Sequence, residues 1–274
     1  MPFGQGADMN LLVNGRETYA YTGGKPFDPA LPCVVFIHGA LHDHGVWNLL
    51  ARWFAHHGRS VLAVDLPGHM RSAGPPPADV ESAADWVLSL LDAAGVQRAA
   101  LAGHSMGSLI ALEAASRAPE RITHLAMLGT AYPMKVSAAL LDTALADPAR
   151  AIEMTVQFSH SMLAPKPGFP GPGTWLRGGA RALMHQVLAR QDDPSLYHHD
   201  FSICDRYAGG LEAAARVRCP ATLILGERDQ MTPPKASTEL AQTLKARVLK
   251  VPAGHALMAE APEPVLNALR MALS

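Results

Sequence analysis

The stretch Gly103-His104-Ser105-Met106-Gly107 decides the fold. This Gly-x-Ser-x-Gly pentapeptide follows an apolar run at 99–102, which predicts a strand, and it opens a segment at 106–118 whose pattern predicts a helix. A serine on a sharp strand-to-helix turn projects its hydroxyl above the sheet, and the glycines leave room where strand and helix pass closely. The pentapeptide therefore predicts Ser105 as an exposed nucleophile, with the Met106 N–H beside it at a helix N-terminus, where anions are stabilised.

On both sides of this turn, short apolar runs alternate with segments of helical pattern. Strands that are buried on both faces give continuous apolar runs, so the alternation predicts a doubly wound, mostly parallel α/β sheet with helices on both faces. The predicted strands are 33–37, 60–64, 99–102 and 122–128, and the predicted helices are 46–55, 78–94 and 106–118. Upstream, Asn14-Gly15 between two β-prone runs, 9–13 and 16–22, predicts a hairpin.

The alternation stops at about Tyr132 and resumes after Arg216. The intervening segment has no run typical of a buried parallel strand, and it contains the Pro/Gly-rich loop Pro165–Gly173. These features predict an inserted helical cap. We therefore expect an α/β core formed by 1–131 and 216–274 and a cap formed by 132–215. Beyond the cap we predict strands at 221–225 and 248–251 and helices at 234–244 and 264–273.

Composition narrows the class of protein. The 274 residues are 49% hydrophobic and 17% charged, which is enough for a large core, and the net charge of -1 argues against binding to nucleic acid or to an anionic membrane. The three cysteines are too few and too widely spaced for a disulfide framework or a zinc site. The first residues do not resemble a signal peptide, and no apolar run is long enough to span a membrane. We expect a cytoplasmic protein.

Five motifs follow predicted strands, in a fixed order, and together they carry a family resemblance. By these motifs the chain resembles the α/β-hydrolase superfamily over essentially its whole length, with the order Ser…Asp…His. The resemblance implies the α/β-hydrolase fold with an inserted cap, and a serine-histidine-aspartate triad. The motifs are Phe36-Ile37-His38-Gly39, Asp65-Leu66-Pro67-Gly68-His69, Gly103-His104-Ser105-Met106-Gly107, Gly226-Glu227-Arg228-Asp229 and Gly254-His255.

A serine hydroxyl needs an adjacent base, and the base needs an orienting partner. Loops after parallel strands converge at one edge of the sheet, and the family's histidine and acid lie in two such loops. The resemblance therefore assigns His255 as base and Asp229 as acid. Glu227 lies two residues earlier and is the alternative acid. The resemblance makes Asp65 structural rather than catalytic.

The oxyanion of a tetrahedral intermediate needs preorganised donors. One predicted donor is the Met106 N–H, and the resemblance assigns the Ala40 N–H as the second. The same comparison suggests that His38 shapes the loop at Ala40. We expect the turn to direct His104 away from Ser105.

These assignments predict a serine hydrolase that cleaves a small or medium-sized, uncharged carboxylic ester through an acyl-enzyme, without a metal or organic cofactor. A carbon–carbon bond hydrolase and a perhydrolase use the same triad and remain alternatives. A non-catalytic small-molecule receptor is the alternative from another class, although a receptor has no need of an intact triad. Haloalkane dehalogenases and epoxide hydrolases use an aspartate where this chain has Ser105. The oligomeric state stays open.

The predicted cap is rich in alanine, leucine and methionine and has no arginine cluster, so we expect an apolar pocket beneath it. Several apolar cap residues are candidates for the lining, although most of them are expected to be ordinary packing within the cap. The candidates are Met134, Met154, Phe158, Met162, Leu163, Trp175 and Met184. A residue of the segment 200–207 is expected to face the substrate as well.

Overall fold

A computed structural model describes residues 8–166, 168–190 and 195–274. The first residues, on which the expectation about a signal peptide depends, lie outside these ranges, and so does Pro167 of the predicted Pro/Gly loop. The described residues contain eight strands: β1 (Asp8–Val13), β2 (Arg16–Tyr21), β3 (Cys33–Ile37), β4 (Ser60–Val64), β5 (Ala99–His104), β6 (Ile122–Leu128), β7 (Ala221–Gly226) and β8 (Arg247–Val251). They form one sheet in the order β1-β2-β4-β3-β5-β6-β7-β8.

The predicted hairpin forms the first two strands of this sheet. β1 pairs antiparallel with β2, and Val13 lies opposite Arg16 across the turn. Asn14 and Gly15 both have positive φ angles, of 50° and 76°, as a tight hairpin turn requires. β2 then pairs antiparallel with β4 and joins the hairpin to the rest of the sheet.

The six remaining strands run parallel, and β5 lies in the middle of the sheet. Every residue of β3, β4, β5 and β7 is buried, which explains their continuous apolar sequences. The predicted doubly wound α/β sheet is therefore confirmed. Because the strands are parallel, the loops after β3, β5, β7 and β8 emerge at the same edge of the sheet.

Helices connect and cover the strands. They are α1 (Asn48–Ala55), α2 (Val80–Ala93), α3 (Met106–Arg117), α4 (Ala138–Ala146), α5 (Pro148–Ser159), α6 (Leu176–Ala189), α7 (Leu196–Arg206), α8 (Gly210–Arg216), α9 (Thr238–Thr243), α10 (Leu257–Glu260) and α11 (Pro262–Ala272). Two predicted helices begin with a 3-10 turn, at His44–Trp47 and at Pro234–Ser237. The sequence prediction missed α10, which is only four residues long.

Five helices, α4 to α8, lie between β6 and β7. Side chains from α4, α5, α6 and the start of α7 form an apolar cluster of their own, which also takes in Ala40 and Leu41 of the core loop after β3. Ile203 and Cys204, later in α7, belong to the main core instead. We keep the division into a core and a cap at 132–215 as a proposal, with α7 joining the two. Within the described residues, no helix is long and apolar enough to cross a membrane.

Candidate active site

Ser105 lies on the turn between β5 and α3, and its backbone is strained. Its φ and ψ angles are 52° and −120°, a conformation that side chains other than glycine rarely adopt. The Ser105 N–H donates to the carbonyl of Leu128 at 2.9 Å, which holds the turn against β6. A Cβ atom on Gly107 would lie 2.4 Å from the Ile37 carbonyl oxygen, so only glycine fits there. The predicted strand-turn-helix is therefore present, with Ser105 partly exposed at its tip.

The loop after β3 passes directly beside this turn. A Cβ atom built on Gly39 would lie 3.1 Å from the Cβ of Ser105. The next residue, Ala40, and Met106 on the other side of Ser105 are the two predicted oxyanion donors. Neither of their N–H groups donates to another described residue. Both donors therefore stand free beside the serine, as an oxyanion hole would require.

His38 and Asp200 fix the shape of this loop. Nε2 of His38 accepts from the Leu66 N–H at 3.0 Å, and its Nδ1 lies 2.8 Å from the Gly39 carbonyl oxygen. His38 therefore has the structural position that was expected. Leu41, with a φ of 49°, donates its N–H to Asp200 Oδ2 at 2.8 Å.

Asp200 belongs to α7 and is 1% exposed. The oxygen that accepts from Leu41 also lies 3.0 Å from Nε2 of His69, while Nδ1 of His69 lies 3.2 Å from the Pro67 carbonyl. Because both neighbours of the ring are acceptors, this position favours the doubly protonated form of the buried His69. Burial lowers the pKa of His69, but the charge and hydrogen bond of Asp200 outweigh burial and raise it overall. Asp200 of α7 therefore joins two loops of the sheet edge: it pairs with His69 in the loop after β4 and accepts from Leu41 in the loop after β3.

Asp229 and His255 come together in the loops after β7 and β8. Oδ2 of Asp229 lies 2.8 Å from Nδ1 of His255, and both residues are 5% exposed. Oδ1 of Asp229 accepts from the N–H groups of Met231 and Thr232. The Thr232 hydroxyl donates to Oδ2 at 2.7 Å. The carboxylate is thus held in place by four donors.

The ionised form of Asp229 is favoured despite its burial. Burial alone raises the pKa of the carboxyl, but the interaction and hydrogen bond with His255, with the donors from Thr232, hold the pKa below its ordinary value. Glu227, the alternative acid, is exposed. Thr232 was not among the site residues predicted from the sequence.

Asp65 lies outside this site. Its carboxylate accepts from the His44 N–H at 2.9 Å and the Arg71 N–H at 3.2 Å, and it lies 2.7 Å from Nδ1 of His44. These contacts give it the bracing position that was expected. With Asp43, the two residues form the single cluster in the described part of the chain that could present ligands to a metal. The carboxylate of Asp65 is already occupied by donors, so the cluster is better explained as a hydrogen-bonded turn.

The loop that carries His255 is tied to the cap. The Ala256 N–H donates to the Ser159 carbonyl at 2.8 Å. The buried carboxylate of Glu260 accepts from the Gly254 N–H and the Ser161 N–H, each at 3.1 Å. Glu260 was not predicted from the sequence, because one of its two partners, Ser161, is far away in the chain.

Ser105 and His255 line one cavity of about 440 Å³ between the sheet edge and helices α5 to α7. Ala40, Met184, Trp175 and Phe201 also line it, and no aspartate, glutamate, lysine or arginine is among the described lining residues. Leu49 and Trp175 are 71% and 58% exposed and lie at its mouth. The cavity is therefore suited to an uncharged, largely apolar ligand.

The predicted lining is partly correct. Of the seven cap candidates, Trp175 and Met184 reach the cavity, and Phe201 is the residue of the segment 200–207 that faces it. Met134 packs in the main core, whereas Phe158 and Met162 are exposed. His104 also lines the cavity. Its Nε2 lies 2.9 Å from the His255 carbonyl oxygen, so the ring is directed toward the loop after β8.

Comparison with known proteins identifies the family. The model of the alpha/beta hydrolase fold matches residues 32–262. The chain is 30% identical over 227 residues to the pimeloyl-[acyl-carrier protein] methyl ester esterase of Chromobacterium violaceum, covering 80% of this chain and 84% of that protein. It is also 30% identical over 246 residues to the dihydrolipoyllysine-residue acetyltransferase component of the acetoin cleaving system of Pseudomonas putida. That match covers 81% of this chain but only 60% of the longer relative.

Among solved structures, the enol-lactonase from Burkholderia xenovorans LB400 superposes with a TM-score of 0.82. The superposition covers 97% of this chain and 99% of the lactonase, at 22% sequence identity, and so establishes a shared fold. From the family match and these likenesses, the chain belongs to the alpha/beta hydrolase fold family.

Proposed function

We propose that the protein is a serine hydrolase that cleaves a small or medium-sized carboxylic ester through an acyl-enzyme intermediate. Ser105 is the nucleophile, His255 the base and Asp229 the acid that orients it. The observation that carries this proposal is that the strained turn at Ser105 and the buried Asp229–His255 pair meet at one apolar cavity. A methyl ester esterase and an enol-lactonase are among the similar proteins, which supports an ester bond as the target.

In the first half of the reaction, Asp229 holds the proton of His255 on Nδ1, so that Nε2 is free to accept. Ser105 Oγ attacks the carbonyl carbon, and its proton passes to His255 Nε2. The electron pair of the carbonyl moves onto oxygen, where the Ala40 and Met106 N–H groups donate to it. The described hydrogen bonds do not include one between Ser105 and His255, a contact that in free enzymes often tightens only when substrate binds.

In the second half, the intermediate collapses and expels the alkoxide, which takes the proton from His255 Nε2. The acyl group remains on the Ser105 oxygen. A water molecule then gives a proton to Nε2 and attacks the acyl carbon. The second tetrahedral intermediate collapses and expels the Ser105 oxygen, which takes the proton from His255 Nε2 as the carboxylic acid is released.

The substrate is proposed to be uncharged, because no charged side chain lies among the described lining residues. Each methylene that enters the cavity contributes up to about 0.8 kcal/mol, or about fourfold in kcat/KM. We therefore expect kcat/KM to rise with acyl chain length and to fall once the cavity of about 440 Å³ is full. A cytoplasmic location remains part of this proposal.

The test is hydrolysis of p-nitrophenyl esters from acetate to palmitate, with Ser105→Ala as the inactive variant. Ser89→Ala is the matched control, since Ser89 lies on α2 and bonds only to the Asp85 carbonyl. A rate that rises steadily to palmitate contradicts a closed cavity and indicates an open groove. Absence of activity on every ester, with turnover of a vinylogous diketone, would indicate a carbon–carbon bond hydrolase instead.

A further inference from the structure

Three buried hydroxyl side chains take no part in the proposed reaction, but they are bonded to the segments that carry it. Ser108 lies in the first turns of α3, Thr130 follows β6, and Ser237 ends the 3-10 turn before α9. Each of the three has no exposed surface. A hydroxyl that is removed from water is costly unless it is hydrogen-bonded, so the partners of these three groups are informative.

The three hydroxyls form one chain of hydrogen bonds. Ser108 Oγ lies 2.6 Å from the Ser105 carbonyl oxygen and 2.8 Å from the Thr130 hydroxyl. Ser108 has a single hydroxyl hydrogen, and a carbonyl oxygen only accepts, so the hydrogen of Ser108 goes to Ser105 and that of Thr130 serves the bond between the hydroxyls. The Ser237 hydroxyl donates to the Thr130 carbonyl oxygen at 2.6 Å.

One end of this chain is the residue whose backbone is strained. The φ and ψ angles of Ser105 are 52° and −120°, and such a conformation persists only where its surroundings hold it. The Ser105 carbonyl accepts from the hydroxyl of Ser108 and also from its backbone N–H, at 2.8 Å. The Ser105 N–H donates to Leu128. Both peptide groups of Ser105 are thus fixed, and the direction of its side chain depends on them.

The other end of the chain belongs to the segment that follows the proposed acid. Ser237 closes the 3-10 turn that comes shortly after Asp229 in the chain. A second bond ties the same turn to the segment after β6, since the Tyr132 N–H donates to the Ala236 carbonyl at 3.1 Å. Thr130 therefore lies between two anchors, the turn of the nucleophile and the turn after the acid.

We infer that Ser108 and Thr130 are positioning residues for the nucleophile: their hydroxyls hold the strained turn, and with it Ser105 Oγ, in the place from which its proton can pass to His255. The inference rests on the proposed function for the reaction itself. Neither residue lines the cavity, so both act through the backbone of Ser105 and not on the substrate. A displacement of reacting atoms by 1 Å can cost about 10²-fold in rate, so a modest shift of this turn is measurable.

The first test compares Ser108→Ala with a matched control on the same helix. Ser116→Ala removes a hydroxyl that also bonds to the carbonyl three residues earlier, that of Glu113 at 2.9 Å, but at the far end of α3. The assays are hydrolysis of p-nitrophenyl esters and the rate of covalent labelling by a fluorophosphonate. Thermal unfolding of each variant ensures that the rates are measured on folded protein.

Ser108→Ala should lower kcat and the labelling rate by about tenfold and leave KM nearly unchanged, because the displaced group is needed for bond formation and not for binding. Ser116→Ala should keep both rates. If Ser108→Ala reacts as fast as wild type, the inference is overturned. It is also overturned if Ser116→Ala slows the reaction equally, since the loss then follows from any weakening of α3.

Thr130 separates the role of its hydroxyl from that of packing. Thr130→Val keeps the volume of the side chain and removes the hydroxyl, whereas Thr130→Ser keeps the hydroxyl and removes a methyl group. We expect Thr130→Val to lower kcat and Thr130→Ser to remain close to wild type. The opposite order would mean that the methyl group matters and the hydroxyl does not, which contradicts the positioning role.

The double variant tests whether the two hydroxyls act as one chain. Ser108→Ala already removes the group through which Thr130 reaches Ser105. Adding Thr130→Val should therefore lower kcat by no more than about twofold further, as expected for coupled residues. Losses that multiply would show that the two hydroxyls act independently, which contradicts the chain.

Labelling of the wild-type protein distinguishes failure of this inference from failure of the proposed function. An adduct on Ser105 that forms equally fast in wild type and in Ser108→Ala keeps the nucleophile and refutes the positioning role. Slower labelling of Ser108→Ala, without turnover of any ester by wild type, supports the positioning role and refutes the ester substrate. Absence of any adduct on wild type refutes the nucleophile and the positioning role with it.

Discussion

Replacing Asp200 by alanine tests whether the cap holds the loop that carries the proposed oxyanion donor. The Asp200 carboxylate accepts from the Leu41 N–H and pairs with His69, and both members of the ion pair are 1% exposed. Removing one partner of such a buried pair costs about 3–5 kcal/mol. For a domain of this size, that loss corresponds to a melting temperature lower by roughly 10 °C.

The same substitution should slow the reaction. Leu41 has a positive φ angle and loses the acceptor that fixes it, so the adjacent Ala40 N–H is no longer held in the direction that an oxyanion donor needs. Complete loss of one oxyanion donor costs about 10²–10³ in kcat, which sets the upper limit. Because the oxyanion exists only in the transition state, KM should change much less than kcat. The assay is ester hydrolysis together with thermal unfolding.

Asp200→Asn and Tyr207→Phe complete the experiment. The asparagine oxygen can still accept from Leu41, so we expect a smaller loss of about 1–3 kcal/mol from the broken pairing with His69. Tyr207→Phe removes another buried hydrogen bond of the same region, the one to Glu113 at 2.6 Å, on the side away from the cavity. It should cost about 1 kcal/mol and leave kcat unchanged. If Asp200→Ala were as stable and as active as wild type, the bracing role would be refuted.

The remaining predictions concern pH and the proposed acid. The pKa of His69 is raised above its ordinary 6.5, so the stability contributed by its pair with Asp200 should be present below pH 6.5 and be lost as the pH rises through the folded value. The difference in free energy of unfolding between wild type and Asp200→Asn should therefore narrow across this pH range. Asp229→Asn should lower kcat by about 10³–10⁴-fold, whereas Glu227→Gln should leave kcat unchanged. The reverse result would assign Glu227, not Asp229, as the acid that orients His255.

The sheet could be predicted from the sequence because each buried strand is a short, continuous apolar run. The apolar runs that form β3, β4 and β6 coincide with the predicted strands, and β5 continues two residues further, into the pentapeptide. Helix starts were less accurate: the helix predicted at 46–55 begins as the 3-10 turn His44–Trp47, and α1 itself starts at Asn48.

The sequence could not predict the contacts that the cap makes. Asp200 and His69 are 131 residues apart, and their pairing depends on how α7 docks onto the core. Such contacts require a tertiary structure.

Covalent labelling with a fluorophosphonate tests the central claim most directly, because the probe reacts only with a serine activated by a neighbouring base. Peptide mapping of the labelled wild-type protein should find a single adduct, on Ser105. Ser105→Ala should take up no label, and Asp229→Asn should take it up far more slowly than wild type. An adduct on another residue, or none on a folded protein, would contradict the assignment of Ser105 as the nucleophile.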